Sequence, residues 1–183
     1  MSSESLWQNI FRRRSETSDL PTVLGQVPIF ADLNRRERNL VSTMLHIRRY
    51  EPEEVVFMQG QPGTGMYILL SGKVNISLHY KQEDQIDLAT LQTGDFFGEL
   101  SLLDESPRSA TAVTEGATEL AGFFRPDLMD LLEQNPSLGI KVVLSLAEVL
   151  GERLRSTNAE LQGLRSQLLL LRKTTDSSPE EPV

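Results

Sequence analysis

The sequence predicts an α+β protein: an antiparallel β jelly-roll flanked by N-terminal helices and followed by a long C-terminal dimerising helix. Three observations predict it. Short β-prone runs with glycine-containing turns fill residues 55–124, apolar residues at helical spacing precede them, and an apolar heptad pattern follows them. We expect an N-terminal segment (1–20), a β-roll domain with flanking helices (21–136), a coiled-coil helix (137–173) and a disordered acidic tail (174–183).

Composition restricts the classes of function. The 183-residue chain has a net charge of −8, so a broad nucleic-acid surface is not expected. Without cysteine, and with only His46 and His79 as histidines, it offers neither thiolate catalysis nor a metal centre such as that of a cupin enzyme. No apolar run reaches the ~20 residues of a transmembrane helix, and no signal-peptide core is present. These features predict a cytoplasmic protein without a metal or other cofactor.

The N-terminal segment has the pattern of a short amphipathic helix. Its apolar residues recur at helical spacing and three arginines follow them: Leu6, Trp7, Ile10 and Phe11, then Arg12, Arg13 and Arg14. Two roles remain open. The helix can pack on the main domain, or it can lie on a membrane surface with its aromatic residues inward and its arginines toward lipid phosphates.

A second helix is predicted before the β-rich region. Asn34 can cap it, and Glu37, three residues later, can complete a capping box. The residues expected in its buried stripe are Leu40, Val41, Met44 and Leu45.

Six β-prone runs follow, and turn signals separate them. The runs are EVVFM, MYILL, KVNISL, IDLATL, ATAV and ELAGFF. Ser71-Gly72, between the second and third runs, predicts a tight hairpin turn. After the strands, DLMDLLEQ predicts a short helix that ends before Asn135-Pro136, where the long helix begins.

The 94–112 segment, which contains FGELSLLDESPRSATA, is neither a regular helix nor a regular strand. Gly98 permits a close approach to the backbone, and Arg108 can place its fork on two oxygens of one phosphate. Ser109 adds a hydroxyl donor, and Ala110 is small enough to expose its amide. Glu99 can accept a hydrogen bond from a ribose 2′-hydroxyl. The alternative is an ion pair between Glu99 and Arg108 that only holds the loop.

The segment resembles the phosphate-binding cassette of the cyclic nucleotide-binding domain family, which includes catabolite activator proteins and protein kinase A regulatory subunits. The family pattern is F-G-E-[LI]-x-L, a short spacer, then P-R-[ATS]-A, and FGELSLLDESPRSA supplies it without a break. The stretches PIFADLNRRERNLV and YEPEEVVFMQGQPGTGMYILLSGKVNI resemble the helix and opening strands that precede the cassette. The resemblance covers roughly residues 25–155.

The resemblance implies a role for each matching residue. Glu99 would bind the ribose 2′-hydroxyl and Arg108 the phosphate, while Gly98, Leu100, Ser109 and Ala110 would line both groups. Ser109 stands where the family associates threonine with guanine and alanine with adenine, and a serine leaves this choice open. We expect cAMP as the ligand, with cGMP as the alternative. Counting from Arg108, the family's base contacts on the long helix fall at Arg153 and Leu154, near Ser156 and Asn158; we select Arg153.

The long helix carries an a/d seam that predicts a parallel homodimeric coiled coil. The seam is Ile140, Val143, Ala147, Leu150, Leu154, Thr157, Leu161, Leu164, Leu168 and Leu171. The first part of the helix is expected to pack on the β-roll, which is too small to cover the rest.

These features predict a non-catalytic cyclic nucleotide sensor that dimerises and signals through its C-terminal helix to an unknown protein partner. A coiled-coil scaffold with a ligand-free cassette is one alternative. A relative of transcription regulators is another, but a mostly polar, acidic stretch, rather than a helix-turn-helix pattern, follows the long helix. DNA binding by this chain is therefore not expected.

Overall fold

The computed structural model describes residues 20–80 and 84–175. The helices are α1 (Leu20–Leu24), α2 (Arg35–Thr43), α3 (Arg125–Gln134) and α4 (Pro136–Thr175), with 3₁₀ turns at Pro28–Phe30 and Glu99–Leu102. The strands are β1 (His46–Tyr50), β2 (Val55–Phe57), β3 (Gly65–Ser71), β4 (Val74–Tyr80), β5 (Asp84–Leu91), β6 (Phe96–Phe97), β7 (Thr111–Thr114) and β8 (Thr118–Phe124).

The strands form two four-stranded antiparallel sheets, which confirms the predicted fold class. Their orders are β1-β8-β3-β6 and β2-β7-β4-β5. Leu69 and Leu120 of the first sheet share a buried cluster with Val74 and Ala112 of the second, so the two sheets enclose a common core.

The turn at Ser71-Gly72 is not the predicted hairpin. Strand β3 pairs with β6 and β8, whereas β4 pairs with β5 and β7, so this turn carries the chain from one sheet to the other. Gly72 has a φ of +92°, and a Cβ there would overlap Thr118. The local turn signal was correct, but a turn signal does not determine which strands pair.

Helix α2 has the predicted capping box. The Asn34 side chain accepts hydrogen bonds from the amides of Arg36 and Glu37, and the Glu37 carboxylate accepts one from the Asn34 amide. Val41 is fully buried, and Met44 and Leu45 pack against the core. Leu40 is 38% exposed, so its predicted burial was wrong; it lies at the edge of the apolar stripe.

A second core lies beneath the helices and fixes the start of α4. Phe30 meets Phe123 edge to face at 6.1 Å between ring centroids. From α3 and α4 it includes Leu128, Leu131, Leu138, Val142 and Leu146. Farther along α4, the side chains of Leu154, Leu161, Leu164 and Leu168 are exposed.

Residues 1–19 and 176–183 lie outside the described residues, so the amphipathic helix, its membrane contact and the acidic tail stay predictions. Within the described residues, no helix has the length and apolarity needed to cross a membrane. Helix α4 continues to Thr175, two residues past the predicted end at Lys173.

The neighbouring residues Val41 and Leu40 provide a matched test of the packing. Val41→Ala should lower the free energy of unfolding by about 2 kcal/mol, because it removes fully buried methyl groups. Leu40→Ala removes more carbon but from an exposed side chain, and should cost less than about 1 kcal/mol. Urea denaturation measures both, and a larger loss for Leu40→Ala would contradict this placement of α2.

Candidate functional site

A cavity of about 520 Å³ lies between the 94–112 segment, strand β5 and helix α4. Its walls contain the seven residues that we selected from the sequence for the site: Gly98, Glu99, Leu100, Arg108, Ser109, Ala110 and Arg153. This volume is within the range of small-molecule sites. Among the described residues, no group of three or more histidine, aspartate or glutamate side chains could hold a metal ion.

The local backbone explains how the 94–112 segment brings its two charged residues to the cavity. Strand β6 pairs with β3 and buries Phe96 and Phe97. Gly98 follows with a φ of +76°, where a Cβ would overlap the Arg108 guanidinium. This left-handed residue turns the chain into the 3₁₀ turn that starts at Glu99, so that the glutamate reaches the cavity.

Arg108 is a buried cation that pairs with no carboxylate among the described residues. Only 6% of the residue is exposed, and Nη1 donates to the Gly98 carbonyl (3.1 Å) and to Ser101 Oγ (3.0 Å). Nε is buried without an acceptor among the described residues, and Nη2 likewise has none there. The Arg108 backbone pairs with Gln61 and Gly60 of the β2–β3 turn, which fixes the base of the side chain.

The electrostatics of this position favour an anion. Burial lowers the pKa of the Arg108 guanidinium, while nearby Tyr67 and Glu99 act in the opposite direction. Arginine nevertheless stays protonated in proteins. A buried charge is costly unless it is paired and hydrogen-bonded, and three of the five guanidinium N–H groups remain available for such pairing.

Glu99 is also buried, with 6% of the residue exposed, but its partner is Arg153 rather than Arg108. Arg153 Nη1 donates to Glu99 Oε1 at 2.5 Å. The Arg153 guanidinium lies 4.7 Å from the Phe96 ring centroid, and its Nη2 donates to the Phe96 carbonyl at 3.4 Å. The alternative of a Glu99–Arg108 ion pair is therefore not what the structure contains, and α4 is connected directly to the 94–112 segment.

The remaining lining residues include some that sequence reasoning missed. Of the neighbouring positions considered for the base contact, Ser156 lines the cavity, whereas Leu154 and Asn158 do not. Ser101 was not selected, although it accepts a hydrogen bond from Arg108. The other missed residues form a mostly apolar wall: Phe57, Ile76, Leu88, Ala89 and Leu91. Their alternation predicted strands, but their position beside the cavity depends on sheet pairing.

The cavity therefore combines two chemically different parts. Arg108 offers free donors for an anion, and Glu99 Oε2 remains available as a hydroxyl acceptor beside it. The β4 and β5 residues opposite are mainly apolar and suit a flat, poorly hydrated group. Such an arrangement can hold a ligand that has an anionic group, an adjacent hydroxyl and an apolar ring.

Comparison with known proteins identifies relatives of this chain. Residues 47–135 match the family model of the cyclic nucleotide-binding domain. The cyclic AMP receptor protein of Thermus thermophilus is 37% identical over 134 residues, which are 73% of this chain and 60% of that protein. A cAMP-dependent protein kinase regulatory subunit of Hypocrea atroviridis is 33% identical over 116 residues, 63% of this chain and 23% of that protein.

A solved structure points to the same family as the sequence relatives. The crystal structure of the Thermus thermophilus catabolite activator protein superposes with a TM-score of 0.69 and 37% identity, covering 75% of this chain and 63% of that one. The chain thus spans less than two thirds of the length of each of these relatives. The matched region contains the 94–112 segment and all of both sheets except His46, and we conclude that the chain contains a domain of the cyclic nucleotide-binding domain family.

Proposed function

We propose that the protein is a non-catalytic cyclic nucleotide sensor that binds cAMP in preference to cGMP and dimerises through α4. The observation that carries the proposal is the buried Arg108, whose Nε and Nη2 lack acceptors among the described residues inside a cavity of suitable volume. A phosphate would supply the missing negative charge and accept from that fork.

Each part of the ligand has a partner in the cavity. The phosphate binds Arg108, with Ser109 and Ala110 beside it, and Gly98 and Leu100 line the ribose. The ribose 2′-hydroxyl donates to Glu99 Oε2, which the Arg153 contact at Oε1 leaves available. The base lies against the apolar wall of Ile76, Leu88 and Ala89, within reach of Arg153.

The preference for cAMP rests on the relatives. Both curated proteins described above have cAMP in their names. Ser109 could donate to either purine and does not itself decide between them. We therefore place cAMP first and cGMP second.

Dimerisation is supported by the apolar stripe on the distal part of α4. Leu154, Leu161, Leu164 and Leu168 are 44–62% exposed and follow the predicted seam. A continuous apolar stripe of this length indicates an interaction surface. Thr157 lies on the seam and also lines the cavity, so ligand and dimer contacts adjoin on one helix.

Transmission of ligand binding through α4 is supported by two contacts. Arg153 connects α4 to Glu99, and Arg125 at the start of α3 donates to the Leu103 carbonyl at 2.6 Å. A ligand changes a conformational equilibrium only through different affinities for the two states. The Glu99–Arg153 contact, which adjoins the proposed ribose position, provides a place where such a difference can arise.

Arg108→Ala should weaken cAMP binding by roughly 100-fold or more, because removing a charged partner of a buried phosphate costs ~2–5 kcal/mol. Isothermal titration calorimetry measures the affinity. Arg48→Ala, which removes an arginine paired with Glu54 outside the cavity lining, is the matched control and should bind normally. Equal affinities of wild type and Arg108→Ala would refute the phosphate role. A wild-type protein that binds neither cAMP nor cGMP would favour the scaffold alternative.

Glu99→Gln should weaken cAMP binding but affect 2′-deoxy-cAMP much less, because only cAMP has the 2′-hydroxyl that donates a hydrogen bond to Glu99. The two ligands are compared in the same calorimetric series. Since the substitution also removes the charge facing Arg153, Arg153→Gln serves as the control for that contact. Equal losses for both ligands would exclude the ribose role of Glu99.

Leu161→Lys combined with Leu168→Lys should produce monomers, because two like charges would enter the seam at adjacent heptads. Sedimentation equilibrium measures the mass. Gln162→Lys with Ser166→Lys adds the same charge to exposed positions outside the seam and should leave the dimer intact. A wild-type monomer, or a dimer that tolerates both seam substitutions, would contradict dimerisation through this stripe.

A further inference from the structure

The Arg108 guanidinium lies on an aromatic side chain that the sequence did not mark as functional. Its Cζ is 4.1 Å from the centroid of the Phe57 ring and 5.8 Å from that of Tyr67. Both distances are within the ~6 Å over which a cation is attracted to a ring face. Phe57 is the last residue of β2, and it lines the cavity itself.

The Phe57 ring is held by rings from two other strands. It lies 5.9 Å from Tyr67 of β3 and 5.7 Å from Phe97 of β6, and those two rings stack at 5.6 Å. Phe57 belongs to one sheet, whereas Tyr67 and Phe97 belong to the other. The three rings are therefore fixed by contacts between the two sheets and are not a flexible surface patch.

Phe57 restricts a motion that the hydrogen bonds of Arg108 leave open. In both bonds Nη1 is the donor, and the Gly98 carbonyl and Ser101 Oγ are the acceptors, so together they hold the Nη1 end of the guanidinium. The guanidinium is also attached to its own side chain through Nε, so the motion left open is a tilt of its plane about the line from Nε to Nη1. Contact of its face with the Phe57 ring sets the plane, and with it the direction of the Nε and Nη2 donors.

From this geometry we propose that Phe57 is a positioning residue: it preorganises the Arg108 fork for an anionic phosphate without contributing a polar group to the ligand. The proposal rests on the proposed function, and it adds the residue that sets how strongly Arg108 binds. A preoriented fork loses less side-chain freedom on binding than a mobile one, which increases affinity.

A double-mutant cycle separates positioning from simple lining of the cavity. The four proteins are wild type, Phe57→Leu, Arg108→Ala and the double variant, each titrated with cAMP by calorimetry. Phe57→Leu retains an apolar side chain but removes the ring face, and should weaken binding roughly 3- to 30-fold. In the Arg108→Ala background the same substitution should change affinity less than about twofold, because the group it positions is absent.

Two variants control for effects on packing. Phe57→Tyr keeps the ring face and should bind like wild type. Phe124→Leu makes the same chemical change at a ring that contacts Tyr67 at 6.1 Å without touching Arg108, and should leave the affinity unchanged. Equal losses for Phe57→Leu with and without Arg108, or wild-type affinity for Phe57→Leu, would overturn the proposal.

A measurement without ligand decides the proposal even if cAMP does not bind. The Arg108 Nε–Hε signal in a ¹H–¹⁵N spectrum, assigned by its loss in Arg108→Ala, should show an upfield ring-current shift and slow solvent exchange in wild type and Phe57→Tyr. Both properties should be lost in Phe57→Leu and kept in Phe124→Leu. An Arg108 signal that is unaffected by Phe57→Leu would exclude positioning, whereas failure of cAMP to bind wild type would count against the proposed function alone.

Discussion

The burial of one uncompensated cation is the constraint on which the rest of the site depends. Arg108 is kept inside the roll by two hydrogen bonds from Nη1, one to a carbonyl and one to a hydroxyl, and by an aromatic ring against the face of its guanidinium. These supports come from two parts of the chain, the 94–112 segment and the end of β2. The left-handed Gly98 presents its carbonyl, the 3₁₀ turn presents Ser101, and the end of β2 presents Phe57. Loss of any one would leave the guanidinium either unpaired or badly oriented.

The same cavity is connected to the long helix by a second charged contact. The Glu99–Arg153 pair joins residues 54 positions apart, and Glu99 is almost fully buried. The beginning of α4 is fixed independently, since Leu138, Val142 and Leu146 are buried in the core beneath the helices. The cavity and α4 are therefore connected directly through the Glu99–Arg153 contact.

Much of the site could be predicted because its central residues lie within one continuous segment. Gly98, Glu99 and Arg108 were selected from their local chemistry, as a flexible backbone, an acceptor and a planar fork, and from the resemblance of their segment to the family's cassette. Arg153 was selected by resemblance and counting, and it lines the cavity, but its contact with Glu99 was not foreseen. Ser101 and Phe57 were missed because neither has a distinctive sequence signal.

The sequence by itself determined the features that depend on neighbouring residues: the capping box at Asn34, the β-prone runs, the glycine turns and the apolar seam of α4. Only the tertiary structure decided which strands pair, so that Ser71-Gly72 crosses between sheets and Phe57 lies beneath Arg108. The physical reason is the separation along the chain over which each interaction acts. Capping and periodicity act over a few residues, whereas sheet pairing minimises the exposed apolar surface of the whole chain.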